Sequence, residues 1–135
     1  MKANLIYFSS TGHTEAMADV VKEALEEKGY DVEVYTDEQG SEFADADLLV
    51  FGSPACGTEE VDESIIVPTI DSIDDFADKK VFLFGSYGWG GGEYMETWRS
   101  EMEGKGAIMA AEPVVCLEEP DDSVVQELKD AIASI

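Results

Sequence analysis

Three short segments carry residue types suited to holding a ligand. The first reads Ser9-Ser10-Thr11-Gly12-His13-Thr14 and stands directly ahead of a stretch with helical periodicity. A helix N-terminus offers unpaired backbone N–H groups and the positive end of a dipole, and Ser and Thr hydroxyls add neutral donors, so such a segment suits a phosphate. Hydroxyl residues also cap helices without any ligand; on this segment alone the two readings are evenly matched. It lacks the lysine of GxxxxGK[ST] and does not form GxGxxG, which disfavours nucleoside triphosphate hydrolysis and ordinary dinucleotide binding.

The second segment is Ser53-Pro54-Ala55-Cys56-Gly57-Thr58-Glu59-Glu60. Gly57 can adopt a positive φ, so a turn there brings bare peptide close to a ligand and reorients it at little cost. Glu59 offers an acceptor for a ring N–H, although in so acidic a chain a solvated carboxylate is the simpler expectation. The third segment is Ser86-Tyr87-Gly88-Trp89-Gly90-Gly91-Gly92. A tryptophan among glycines costs ordering entropy and offers an apolar face to water. A planar ring stacked on Trp89 accounts for this, as does a Trp89 folded back over the edge of a sheet.

Each segment follows a short apolar run. Leu5 to Phe8, Leu48 to Phe51 and Val81 to Phe84 are unbroken apolar quartets, the pattern of strands covered on both faces in a parallel sheet. Phe51-Gly52-Ser53 and Phe84-Gly85-Ser86 echo each other 33 positions apart, the length of one strand-helix unit. Val32 and Val34 alternate with Asp31, Glu33 and Tyr35, which predicts an edge strand. The region Ala107 to Leu117 contains Pro113, which cannot donate to a ladder and so predicts an edge or a bulge.

Helices are predicted between these runs. Met17, Val20, Val21, Ala24 and Leu25 share one helical face, with Gly29 placed as its C-terminal cap. Tyr94, Met95, Trp98 and Met102 form a second stripe, read as core. Val125, Leu128, Ile132 and Ile135 form a third behind the capping acids Asp121 and Asp122. Ser64 to Phe76 reads as a helix interrupted or restarted at Pro68. Residues 37–46 read as a loop anchored by Phe43. The expectation is a doubly wound α/β domain, a five-stranded parallel sheet of order 2-1-3-4-5, with ligands bound beyond the strands' carboxyl ends where the order reverses.

A chain of 135 residues supports one domain, expected over 1–135, and is too short for two. With 44% hydrophobic and 29% charged residues it has the balance of a globular protein rather than of a disordered tail or fibre. No apolar run approaches roughly 18 residues, and Leu5 to Phe8 is too brief for a signal peptide, so a cytoplasmic protein without membrane contact is expected. Eight basic against 31 acidic residues give a net charge of −23, which makes nucleic acid an unsuitable partner. Such a field steers a protein toward basic docking surfaces and equally serves as a solubility coat. Cys56 and Cys116 have neither CxxC spacing nor neighbouring histidines, so neither a metal site nor a disulfide is expected.

From first strand to last helix the chain resembles the short-chain flavodoxins of anaerobic bacteria. The first segment, Ala55-Cys56-Gly57-Thr58-Glu59 and Phe84-Gly85-Ser86-Tyr87-Gly88-Trp89-Gly90 carry the resemblance, in order and spacing. It implies noncovalent FMN and one-electron transfer between redox enzymes. On the family's pattern Ser9, Ser10, Thr11, Gly12, His13 and Thr14 hold the FMN phosphate, with Ser53 as a further contact. Trp89 stacks on the outer flavin face, and Ala55, Cys56, Gly57, Thr58 and Glu59 hold the inner face and pyrimidine edge, Glu59 accepting from flavin N3–H. Ser86, Tyr87, Gly88 and Gly90 line the ribityl and dimethylbenzene side, and Leu117 and Glu118 approach the pyrimidine end.

Two positions depart from the pattern. His13 stands where the family usually has Asn, and a protonated imidazole adds a charge that makes phosphate binding pH-dependent. Cys56 stands where close relatives commonly have Met and covers less of the inner flavin face. The resemblance further implies that the peptide at Gly57 turns its carbonyl toward flavin N5 when that nitrogen gains a proton. The protein then acts as a monomeric carrier, docking on basic surfaces of reductases and low-potential oxidoreductases. An FMN-dependent quinone or NAD(P)H reductase is the alternative, for which 135 residues leave little room. A phosphoacceptor receiver domain shares the strand order but needs acidic residues where this chain has Ser9-Ser10 and Ser53-Pro54.

Overall fold

The apolar quartets lie side by side at the centre of one parallel sheet. A computed structural model describes residues 1–9, 12–54, 61–73, 76–87, 93–117 and 120–135. In chain order its elements are β1 (Lys2–Tyr7), α1 (His13–Glu27), β2 (Asp31–Tyr35), a 3-10 turn (Ser41–Ala44), β3 (Leu48–Gly52) and α2 (Ile66–Asp71). They continue with β4 (Lys80–Tyr87), α3 (Glu93–Gly104), β5 (Ile108–Met109), β6 (Val114–Leu117) and α4 (Asp122–Ala133). The strands run β2-β1-β3-β4-β5, with β6 also on β4, and every pairing is parallel. This is the expected flavodoxin-like order, with the fifth position split in two.

The split has a local cause. β5 pairs with Lys80 and Val81, whereas β6 pairs with Phe84 through Tyr87, so only Phe82 and Leu83 of β4 face the longer stretch 110–113. Pro113 sits in that break, where its missing N–H removes no ladder bond. Arg99 of α3 grips the break by donating to both carboxylate oxygens of Glu112, at 2.6 and 3.3 Å.

Strand side chains alternate between two cores. Leu5, Leu48, Val50, Phe82 and Phe84 point to the face covered by α1 and α4. Ile6, Leu49, Phe51, Val81 and Leu83 point to the face covered by α2 and α3. All ten are fully buried, each contributing about 2 kcal/mol of hydrophobic stabilisation relative to exposure. The edge strand β2 leaves Val34 exposed. Phe43 is the anchor expected of its loop, packed against Phe51 and Tyr35, and Asn4 Nδ2 donates to its carbonyl at 2.9 Å.

The helices follow their stripes with two corrections. Gly29, at φ +100, closes α1 as expected: its N–H donates to Glu26 O and the Tyr30 N–H to Leu25 O. Asp121 caps α4, accepting from the Val124 N–H at 2.9 Å, but Val124 rather than Val125 joins the core with Leu128 and Ile132. The helix expected over Ser64–Phe76 is only Ile66–Asp71, and it continues through Pro68. As the third helical residue Pro68 lies in the first turn, where an N–H has no intrahelical acceptor to lose. None of the described helices is long and apolar enough to cross a membrane.

Candidate functional site

The carboxyl ends of β1, β3 and β4 form one rim. The chain stays laced beyond the strands, the Phe8 N–H donating to Gly52 O at 3.0 Å and the Ser53 N–H to Phe84 O at 3.1 Å. β2 and β3 flank β1 on opposite sides, so the strand order reverses there and the segment after β1 opens onto the crevice.

Gly12 is the N-cap of α1 at φ +90, a left-handed conformation that strains any side chain. No atom of the described residues lies within 4 Å of where a Cβ would stand. Ser9 Oγ accepts from the Gly12 N–H at 3.0 Å and the Glu15 N–H at 3.3 Å. The N–H groups of His13 and Thr14 have no partner among the described residues, and half-buried His13 is the first helical residue. The helix therefore presents free donors and its positive end to the rim.

Thr14 and Ser86 are buried, and their hydroxyl oxygens lie 2.9 Å apart. Two hydroxyls sharing one bond leave one proton for a further acceptor. This pair ties the first turn of α1 to the end of β4.

Ser53 is fully buried with its hydroxyl engaged, accepting from the Asp62 N–H and donating to Pro54 O, both at 2.8 Å. It serves as a brace closing the base of the segment between them. Asp62 accepts from the Ser64 hydroxyl and from the N–H groups of Ser64, Ile65 and Ile66. Burial pushes its carboxyl up, but these hydrogen bonds outweigh burial and hold it below the ordinary aspartate value. Glycine is required at two places. A Cβ on Gly52 would stand 2.3 Å from the Phe84 ring, and one on Gly85 2.0 Å from Ser53 O.

Tyr87 is half-buried at the end of β4 and pairs with Leu117, which is 58% exposed. On the other flank, burial and then the charges of Glu15 and Asp19 raise the pKa of Tyr7. Ser9, Gly12, His13, Thr14, Ser53, Ser86, Tyr87 and Leu117 thus lie at the strand ends. Ser10, Thr11, Ala55, Cys56, Gly57, Thr58, Glu59, Gly88, Trp89, Gly90 and Glu118 lie outside the described residues. A groove of about 400 Å³ between α2 and α3 is lined by Val67, Ile70, Trp98 and Met102. Sequence reasoning missed Asp62, whose position ahead of an apolar run is a helix-start signal.

The family model for flavodoxin matches residues 5–132. The chain belongs to the flavodoxin family. The flavodoxin of Megasphaera elsdenii is 39% identical over 133 residues, 96% of each chain. That of Clostridium beijerinckii is 37% identical over 122 residues, 88% of each. The solution structure of two-electron reduced Megasphaera elsdenii flavodoxin matches at a TM-score of 0.84 and 36% identity, covering 98% of this chain and 99% of that one.

The protein is accordingly an FMN-binding electron carrier serving redox partners, not an enzyme, and the reductase alternative is not favoured. The residues present fit the cofactor's phosphate. Two N–H groups without a partner among the described residues, at a helix N-terminus, and the spare proton of the Thr14–Ser86 pair suit an anion, in a protein whose net charge would otherwise repel one.

Proposed function

We propose that the FMN phosphate rests on Ser9 to Thr14, received by the N–H groups of His13 and Thr14 and by the hydroxyls of Ser10, Thr11 and Thr14. The open N-terminus of α1 is the observation that carries this reading. Ser9 shapes the turn by accepting from Gly12 and Glu15, and Ser53 enters as the brace of the second segment. Ala55 to Glu59 hold the inner face and pyrimidine edge of the flavin, Trp89 covers the outer face, and Ser86, Tyr87, Gly88 and Gly90 line the ribityl and dimethylbenzene side. Leu117 and Glu118 approach the pyrimidine end. When bound, FMN supplies the one-electron chemistry, and the polypeptide sets its energy and its access to water.

The chain works as a single domain over 1–135, a monomer in the cytoplasm. Its charge of −23 draws it to basic surfaces of reductases and low-potential oxidoreductases. The test is binding of FMN and of riboflavin, which lacks the phosphate, to protein stripped of flavin. Losing these five charge-assisted hydrogen bonds makes riboflavin at least roughly a hundredfold weaker. Equal affinities would remove the phosphate from the first segment.

A further inference from the structure

Tyr94 lies in the first turn of α3 with its ring in the core. Its hydroxyl reaches two main-chain carbonyls, donating to Ser53 O at 2.9 Å and lying 3.4 Å from Ser86 O. These mark where the chain leaves the sheet: Ser53 directly follows β3, and Ser86 is the penultimate residue of β4. The approach requires glycine at 85, since a Cβ there would stand 2.2 Å from the Tyr94 hydroxyl and 2.0 Å from Ser53 O. Ser53 passes the constraint on through its side chain, which accepts from the Asp62 N–H at 2.8 Å. One phenol thus stands at the junction of the second and third segments, 41 residues from Ser53 in sequence.

We propose that Tyr94 is a positioning residue whose hydroxyl fixes Ser53 and Ser86, at the ends of β3 and β4, relative to each other where the flavin binds. The inference rests on the FMN placement proposed above. Its physical basis is the burial of the groups involved. A carbonyl out of water that loses its donor recovers it by moving, and movement of Ser53 is felt at Asp62. The single phenolic proton goes mainly to the nearer carbonyl, so Ser53 is the more strongly held of the two.

Tyr94→Phe keeps the ring and removes only the hydroxyl. In flavin-free protein, the Asp62 amide is expected to exchange with solvent at least tenfold faster than in the wild type, while the Leu128 amide in α4 is unchanged. FMN and riboflavin should both weaken about tenfold, because the loss falls on the flavin ring and not on the phosphate. Unchanged Asp62 exchange and unchanged affinities, with only a lower melting temperature, would show that Tyr94 merely fills the core and would overturn the inference. If the wild type fails to retain FMN, the functional reading fails by itself, and Asp62 exchange still decides the role of Tyr94. Should the variant not fold, the wild-type hydroxyl proton decides: a slowly exchanging resonance is expected, and one averaged with water would contradict the bond.

Discussion

The hydroxyls of Thr14 and Ser86 lie 2.9 Å apart although 72 residues separate them in the chain. One belongs to the first turn of the helix that receives the phosphate in the proposed arrangement, the other to the end of the strand that feeds the glycine-rich segment. Thr14→Val preserves shape and removes the bond together with the spare donor. FMN affinity should fall about tenfold, roughly 1.4 kcal/mol, with about 1 kcal/mol lost from fold stability. Equilibrium binding and thermal unfolding of the same preparation separate the two effects, and riboflavin affinity should change little.

Asp62 links stability to acid. Burial pushes its carboxyl up, but hydrogen bonds from Ser64, Ile66 and Ile65 prevail and hold it below the ordinary value of 3.8. A depressed value means that the contribution is present above that pH and is lost as pH falls through the lower, folded value. Asp62→Asn retains much of this hydrogen bonding but does not titrate, so its stability should fall less steeply below about pH 4. Asp62→Ala should cost about 1 kcal/mol at neutral pH. Urea unfolding at several pH values gives both quantities.

Cys116 links stability to base. Burial, with a smaller contribution from Asp121, pushes its thiol from 9.0 up to about 11, and the thiol donates to Met17 Sδ at 3.4 Å. A raised value means that the contribution is complete below pH 9 and is lost as pH rises toward 11. The wild type should lose stability across that window through this group, and Cys116→Ala should lack that part of the slope. Parallel alkaline limbs for the two proteins would contradict the assignment.

The negative field should lower the second one-electron potential of bound FMN. Glu15 and Asp19 already act on Tyr7 at the rim. One carboxylate about 10 Å from the flavin contributes roughly 1.7 kcal/mol at an effective dielectric near 20, or about 70 mV for one electron. The potential should therefore rise with ionic strength and rise in Glu15→Gln/Asp19→Asn. A salt-independent potential would exclude the field as its cause.

The fold was legible where one physical signal dominated. Quartets such as Val81 to Phe84, each leading into small turn residues, read as strands buried on both faces, and Pro113 marked the weak point of the last strand. Pro68 misled, because a proline breaks a helix interior but not its first turn, and the true start depended on Asp62. Val124 displaced Val125 because the cap at Asp121 sets the rotation of α4, which a four-residue stripe leaves free by one position. Residue types singled out the three segments, whereas the pairings at the strand ends were invisible. Nothing local in Thr14, Ser53 or Tyr94 tells that their partners lie in other elements, and Tyr94 read as one more apolar side chain.

The most direct measurement is stepwise anaerobic reduction of the purified protein after mixing with FMN and desalting, followed by its visible spectrum. Flavin retained through desalting and reduced in two separately resolved one-electron steps is the predicted result. Loss of all flavin on desalting, or reduction in a single two-electron step, would contradict the account of a one-electron carrier.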